Sequence, residues 1–452
     1  MAIKEHGRQY DLVLLGASGY TGRLTAEHIA TNLPSHLKWA VAGRSESKLN
    51  AVVAECQKLN SDRLPPSAPA PAMVPFPVPD LNACTELTAD RNTGVEIAHV
   101  DDEAQLRALV QKAFVVITTV GPYCLYGEPI FKLCAETGTH YLDCTGEVPW
   151  VARMINKYED TARKSGAIMI PQSGMESAPA DLVTWSMAQH LRKHLNAPTK
   201  DAIVTIHKLR ISSKPSGGTL ATLLVFFEHF PLKEIIEATK PYAFSPIPHT
   251  SGARPRKSLL QRMLGVTSLP YLGRVTTSIA GTTDQAVVTR TWGLLHEVPS
   301  RKDEFYGPQF TWVEYFTARN WLHGVAVHFA LAVGGFLLAF VPPFRSLVRR
   351  FVFQPGEGTG REGMAKEEVE YRGTASPDVD DNPTGKQAFC RAWYHGSLYA
   401  LTGVFLAEGA LTILEEDVQL GGGSFTPACL GKGYLDRLDG AGFKIDVQTV
   451  EG

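Results

Sequence analysis

The sequence predicts an α/β protein: an N-terminal, doubly wound parallel sheet followed by a second, α+β domain. Apolar strands alternate with helix-period segments six times over about the first 180 residues. A glycine-rich turn joins the first strand to the first helix. Near Trp185 the alternation stops and longer, two-residue-period segments take over. One core rarely organises more than about 250–300 residues, so the 452 residues divide into 1–184, 185–420 and a C-terminal segment, 421–452, that packs back on the body.

Taken in order, DLVLLG is a short apolar strand. GYTGRLTAEHIATNL then has helical spacing, with Leu24, Ile29 and Leu33 toward a core. WAVAGR is a second strand, and SESKLNAVVAECQKL a second helix with Ser45 as N-cap. Residues 64–79 are proline-rich and aperiodic, which marks a surface loop. VEIAHVD, FVVITTVGPY, THYLDCTGE and SGAIMIPQSG supply further strands. DEAQLRALVQKA, EPIFKLCAETG and the segment after Ala178 supply further helices. In the second half, VTIHKLR, TTSIAGTTDQAVVTRTW and EEVEYRGTAS read as antiparallel strands, and 354–363 as a glycine-rich connection. Asn320 to Phe344 carries no Asp, Glu, Lys or Arg. It has the length of a bilayer span, about 20 residues. RSLVRRFVF follows, suited to an anionic surface through its arginines.

Composition narrows the function classes. A net charge of −2 offers no electrostatic case for nucleic acid. Seven scattered cysteines with no CxxC pair indicate neither a disulfide framework nor a metal site. The N-terminus runs into a strand without a signal-peptide core, which reads as intracellular and non-secreted.

Gly16, Gly19 and Gly22 form GxxGxxG between the first strand and the first helix. Glycine lets the backbone approach a diphosphate, and the helix N-terminus offers N–H groups and partial positive charge. This is the dinucleotide-binding position of a Rossmann domain. Arg44 follows the second strand, where NAD-selective sites carry an acid; with Ser45 and nearby Lys48 it favours NADP(H) over NAD(H). Thr119, Gly121, Pro122 and Tyr123 follow the fourth strand, where the nicotinamide half passes. Tyr123 and Tyr126 reach a substrate or simply pack. Asp101 contacts the adenine side or caps the next helix. Asp143, Glu147 and Glu176 sit at later strand ends as proton-donor candidates, against the plainer reading of caps and surface carboxylates, and Asp181 reads as a cap. No Tyr-x-x-x-Lys occurs, which removes the short-chain dehydrogenase mechanism.

GASGYTG, WAVAGRS, VGPYCLYGEP, YLDCTGE, SGMESAPADL and the terminal GGSFTPACLG with YLDRLDGAGFKIDV together resemble the saccharopine dehydrogenase-like oxidoreductases of eukaryotic type, over the whole chain. Relatives include saccharopine-forming reductases and bacterial trans-acting enoyl reductases. The resemblance implies a Rossmann domain binding NAD(P) with a second domain over the crevice. It matches Gly16, Ser18, Gly19, Tyr20, Thr21 and Gly22 to the diphosphate loop, and Arg44 and Ser45 to the 2′ end. Gly121, Pro122 and Tyr123 match the nicotinamide side. It further implies association with membranes or lipid droplets and a homodimer. The chain departs at Met175-Glu176-Ser177, where relatives often read GFDS, so Glu176 sets a carboxylate one methylene further out. Saccharopine chemistry needs arginines that grip a dicarboxylate, and only Arg290, Arg210 and Lys214 are at hand.

The expectation is thus an NADP(H)-dependent oxidoreductase acting on an apolar or lipid-like substrate, with membrane contact through 320–350. Two alternatives stand beside it. One is a non-catalytic membrane or lipid-droplet protein that retains a dinucleotide site. The other is an imine reductase on an amino-acid-type substrate.

Overall fold

The computed structural model describes residues 2–60, 93–212, 217–249, 258–349, 361–379 and 385–451. The 64–79 stretch, Lys214, Arg350 and residues 354–360 lie outside them. The chain begins β1 (Tyr10–Leu15), α1 (Tyr20–Asn32), β2 (Trp39–Gly43), α2 (Glu46–Leu59), β3 (Thr93–Ile97), α3 (Glu103–Lys112), β4 (Ala113–Thr118), α4 (Tyr123–Thr137), β5 (His140–Asp143), α5 (Val148–Ser165), β6 (Ile168–Ile170) and α6 (Ala178–Leu195). The second half runs β7 (Thr199–Arg210), α7 (Gly217–His229), α8 (Leu232–Ala238), α9 (Leu259–Leu264), β8 (Thr267–Leu269), β9 (Gly273–Thr277), α10 (Gly281–Glu297), β10 (Thr311–Thr317), α11 (Trp321–Phe340), α12 (Pro342–Arg349) and α13 (Arg361–Met364). It ends with β11 (Glu368–Pro377), β12 (Lys386–His395), α14 (Leu398–Glu415), β13 (Gly423–Ser424), α15 (Gly431–Gly440) and β14 (Lys444–Glu451).

The first sheet is parallel, in the order β13-β6-β5-β4-β1-β2-β3. All six β1 residues are buried, as a strand covered by helices on both faces requires. Burying each of its leucines and valine stabilises by about 1.5–3 kcal/mol. The chain reverses direction of travel between β1 and β4, and the strand ends meet there in a crevice.

The second sheet is mixed, in the order β14-β12-β11-β7-β10-β9-β8, with β7 and β10 as its parallel pair. Helix α6 leads into it and packs on β11 and β12. The stretch 276–292, expected as a strand, is the end of β9 followed by helix α10. The β-branched residues Thr289, Val287, Val288 and Thr291 favour a strand locally. But α10 is buried on almost every side from Ala286 to Leu295, so it lacks the polar stripe that marks a helix in sequence.

The C-terminal elements do not stay with the second sheet. Helix α14, which the sequence reading placed in 185–420, lies on the first sheet against α1, β4 and β5. Gly403 permits the approach, since a Cβ there stands 3.0 Å from the Thr25 backbone. His28 Nε2 and Glu408 Oε1 meet at 2.8 Å across the same seam. Strand β13 extends the first sheet, whereas β14 pairs with β12 of the second.

Candidate functional site

The crevice lies at the carboxyl ends of β1 to β6, and the residues singled out from the sequence fall on that edge. At the end of β1, Gly16 has φ +89°, and a Cβ there meets Thr119 Oγ1 and Val120 Cγ2 at 2.8 Å. Thr119 Oγ1 donates to Gly16 O at 3.2 Å, tying the β4 end to this turn. The Gly19 N–H donates to Gly16 O at 2.9 Å, and Gly16 N–H to Ala42 O at 2.9 Å. A Cβ on Gly22 stands 2.2 Å from Gly16 O, so only glycine closes this turn. Gly19 caps α1 without any side-chain bond, and no acid occupies the first turn. The helix N-terminus therefore faces the crevice with its partial positive charge intact. Ser18, Tyr20 and Thr21 lie in the same turn, each half-buried.

Arg44 and Lys48 are exposed beyond β2, and Ser45 is the N-cap of α2, though its hydroxyl meets Ser47 Oγ at 3.3 Å rather than a backbone N–H. Asp101 is exposed after β3; the cap of α3 is its neighbour Asp102, which accepts from Gln105 N at 3.0 Å. A glycine cradle, an uncapped helix and a cation beyond β2 with no aspartate at the strand end fit a dinucleotide diphosphate with a 2′-phosphate.

On the nicotinamide side, Gly121 is exposed, and its bond to Pro122 is cis. Tyr123 is 5% exposed, and its hydroxyl donates to Thr118 O at 3.0 Å. It also lies 3.4 Å from Cys144 Sγ. Burial pushes the phenol well above its ordinary range. Tyr126 is exposed on α4. Helix α4 starts five residues before the expected Glu128 because Glu147 caps it from outside. Its carboxylate accepts from Tyr123 N at 2.7 Å and Cys124 N at 2.8 Å. Asp143 is fully buried and accepts from Tyr141 Oη at 2.7 Å and from Thr145 N and Gln172 N at 2.9 Å. Burial pushes it up to about 6. Tyr123, Asp143 and Glu147 are thus spent on holding the edge together.

Glu176 differs. It is exposed at the crevice, with its Oε2 over Gly146, where a Cβ comes within 2.5 Å. Protein surrounds it at longer range and pushes its carboxyl up, an effect that the solvent reaching the side chain screens. Asp181, read as a cap, instead bolts three elements together. It accepts from Thr291 Oγ1 at 2.5 Å and Ala428 N at 2.9 Å, and burial pushes it up to about 7.

Three residues escaped the sequence reading: Asp284, Glu314 and Tyr371. Asp284 lies in the first turn of α10 and resembles an ordinary capping acid in sequence. Glu314 and Tyr371 lie on β10 and β11, in strands of plain alternation. All three are buried, and the charges of Asp284, Glu314 and Glu176 act together on Tyr371. Arg290 is buried and engaged by Phe244 O at 2.7 Å, Glu159 Oε2 at 3.0 Å and Ser424 O at 2.5 Å. Arg210 pairs with Glu368 at 3.5 Å. Neither of these two is left to grip a dicarboxylate. A separate pocket of about 490 Å³ lies beside α1, lined among others by Tyr20, Arg23, Met364 and Ala400. It shares only Tyr20 with the glycine turn.

The family model described as the saccharopine dehydrogenase NADP binding domain matches residues 78–170. A saccharopine dehydrogenase-like oxidoreductase of Rattus norvegicus is 26% identical over 481 residues, covering 97% of each chain. A trans-acting enoyl reductase of Mycobacterium leprae is 27% identical over 456 residues, again 97% of each. Apo saccharopine dehydrogenase (L-Glu forming) from Saccharomyces cerevisiae superposes with a TM-score of 0.55 at 12% identity, covering 98% of this chain and 100% of that one, a likeness of fold. The cofactor class is NADP. Over nearly its full length the chain is thus similar to saccharopine dehydrogenase-like oxidoreductases and trans-acting enoyl reductases, and within 78–170 to the NADP-binding domain of saccharopine dehydrogenase.

Proposed function

We propose that the protein is an NADPH-dependent reductase of an apolar, lipid-like substrate held between the glycine cradle and the second sheet. The observation that carries the reading is the closed turn of Gly16, Gly19 and Gly22 beneath an uncapped α1. The trans-acting enoyl reductases among the relatives support hydride chemistry on an acyl substrate. In this reading the turn from Gly16 to Gly22 holds the diphosphate, and Arg44, with Ser45 and Lys48 beside it, holds the 2′-phosphate. Thr119 to Tyr123 line the nicotinamide. NADPH supplies a hydride. Glu176, exposed and shifted toward the protonated form, holds the proton that completes the reduction.

Calorimetric titration with NADPH and NADH, on wild type and Arg44→Ala, tests the cofactor assignment. Arg44→Ala weakens NADPH by about 1–3 kcal/mol and leaves NADH nearly unchanged, as lost charge-assisted bonds require. Equal affinity for both cofactors in wild type refutes the role of Arg44. NADPH oxidation with lipid extract and long-chain 2-enoyl thioesters then tests the substrate class. Tight cofactor binding without turnover favours the non-catalytic reading.

A second reading concerns membrane contact, and α11 favours it. This 20-residue helix is long and apolar enough to cross a membrane, yet only 6% of its most apolar window is buried. Its first half is tied down: Thr276 Oγ1 donates to Gly324 O at 2.8 Å, and Thr277 Oγ1 meets His328 Nδ1 at 2.7 Å. Its second half presents Val333, Phe336 and Phe340 to solvent. We read it as lying in the plane of a lipid surface rather than spanning it. Release by alkaline carbonate, together with co-sedimentation with anionic vesicles, supports this; retention after carbonate refutes it.

A further inference from the structure

Helix α11 ends at Phe340, and the chain turns directly into α12. Exposed apolar side chains run on from one helix to the other: Phe336, Phe340 and Leu347. Helix α9 adds Leu259, Leu260 and Met263, also exposed. Its end is pressed on α11, where a Cβ on Gly265 would stand 2.3 Å from the His328 ring.

The arginines beside this apolar stretch are engaged by the protein itself. Arg345 Nη1 donates to Leu338 O at 2.9 Å and Ala339 O at 3.2 Å, closing the end of α11. Its Nε stands 3.7 Å from Glu228 Oε1. Arg349 Nη2 donates to both carboxylate oxygens of Glu228, at 2.7 and 2.6 Å, from 121 positions away. Glu228 gains little from its own helix: it sits in the last turn of α7, whose carbonyl end repels an acid. The Arg349 and Glu228 side chains are 52% and 38% exposed. Such a solvated pair contributes little in water and opens easily. An anionic lipid surface shifts the balance in two ways. It offers Arg349 phosphate oxygens, which a guanidinium holds by charge-assisted bonds, and it repels Glu228.

We propose that Arg349, with Arg345 beside it, is a site for the phosphate of an anionic lipid headgroup, that Glu228 fills this site in water, and that the exchange at a lipid surface frees α7 from α12. The proposal rests on the reading of α11 as lying on that surface. The other end of α7 stands at the cofactor crevice: Thr222 Oγ1 is 3.7 Å from where a Cβ on Gly121 would lie. One helix therefore joins the lipid-facing side of the molecule to the crevice.

Sedimentation with phosphatidylcholine vesicles, with and without phosphatidylserine, tests the exchange. Both substitutions fall on solvated side chains and leave the core untouched. Glu228→Gln binds the anionic vesicles about fivefold more tightly than wild type, the gain one arginine draws from such a surface, and Arg349→Ala binds them about fivefold less tightly. In the Arg349→Ala background, Glu228→Gln brings a much smaller gain. An equal gain in both backgrounds is a plain effect of net charge and overturns the exchange, as does Glu228→Gln binding like wild type. A gain of the same size on pure phosphatidylcholine overturns the headgroup site. Hydrogen exchange over residues 225–229 reads the release of α7. Anionic vesicles speed it in wild type, and in Glu228→Gln it is fast without them; exchange that anionic vesicles leave unchanged in wild type overturns the release. Failure of wild type and Glu228→Gln alike to sediment with anionic vesicles overturns instead the surface reading on which the site depends.

Discussion

Replacing Gly22 by alanine sets a methyl carbon 2.2 Å from Gly16 O and 2.9 Å from Ala17 Cα. Both neighbours are backbone of the turn itself, so no side chain can swing aside. The overlap is about 1 Å or more inside ordinary van der Waals contact, and the turn must open by a comparable amount. Overpacking of this kind costs about 1–3 kcal/mol in stability. The opening also moves the N–H groups that would face the diphosphate. Each charge-assisted bond lost costs about 1.5–3 kcal/mol, which converts to a loss of about tenfold or more in NADPH affinity. Thermal melts and calorimetric titration of the purified variant measure the two effects separately. Gly334→Ala is the control, because nothing lies within 4 Å of the Cβ position at half-buried Gly334 on α11. A folded Gly22→Ala protein that binds NADPH within about twofold of wild type would refute the cradle.

The control carries its own expectation: Gly334→Ala raises stability by about 0.5–1 kcal/mol in detergent-free buffer, read by urea unfolding. Glu147→Gln keeps one acceptor oxygen for two backbone donors, Tyr123 N and Cys124 N. The cost is about 1–3 kcal/mol in the same assay, and NADPH affinity in the folded variant stays unchanged. Asp181 is pushed up to about 7 by burial, against about 4 for an unfolded aspartate. The folded protein therefore holds a proton that the unfolded chain gives up. The contribution is fully present below about pH 4 and is lost as pH rises to about 7. Melting temperature between pH 4 and 8 falls more steeply for wild type than for Asp181→Asn; parallel profiles would contradict the assignment.

The parts of this architecture that local sequence encodes are those whose chemistry is local. The strand–glycine–helix turn needs glycine at Gly16 for its positive φ, and at Gly22 because a Cβ there would strike Gly16 O and Ala17 within the same seven residues. The first sheet reads from repeated apolar strands because both of its faces are covered. What escaped depends on partners distant in sequence. The start of α4 is set by Glu147, 24 residues from Tyr123. Asp181 has a capping position but bonds to residues 110 and 247 positions away. Helix α10 is hidden by its own burial. Asp284 and Glu314 are buried where α10 packs on β10, and neither acid has a neighbour in sequence that marks it.

The seam between α14 and α1 bears on how the chain is made. The face of the first sheet that α14 covers, ending at Asp143, is synthesised 255 residues before Leu398 opens the helix that closes it. At about 5–20 residues per second, Leu142 and the α1 surface wait tens of seconds for their cover on the ribosome. Strand β13, which extends the sheet beside β6, arrives later still. An N-terminal fragment ending after α6 is therefore an unfinished sheet with an open apolar face rather than a portable nucleotide-binding module. Premature termination anywhere before Leu398 leaves that apolar face without its cover.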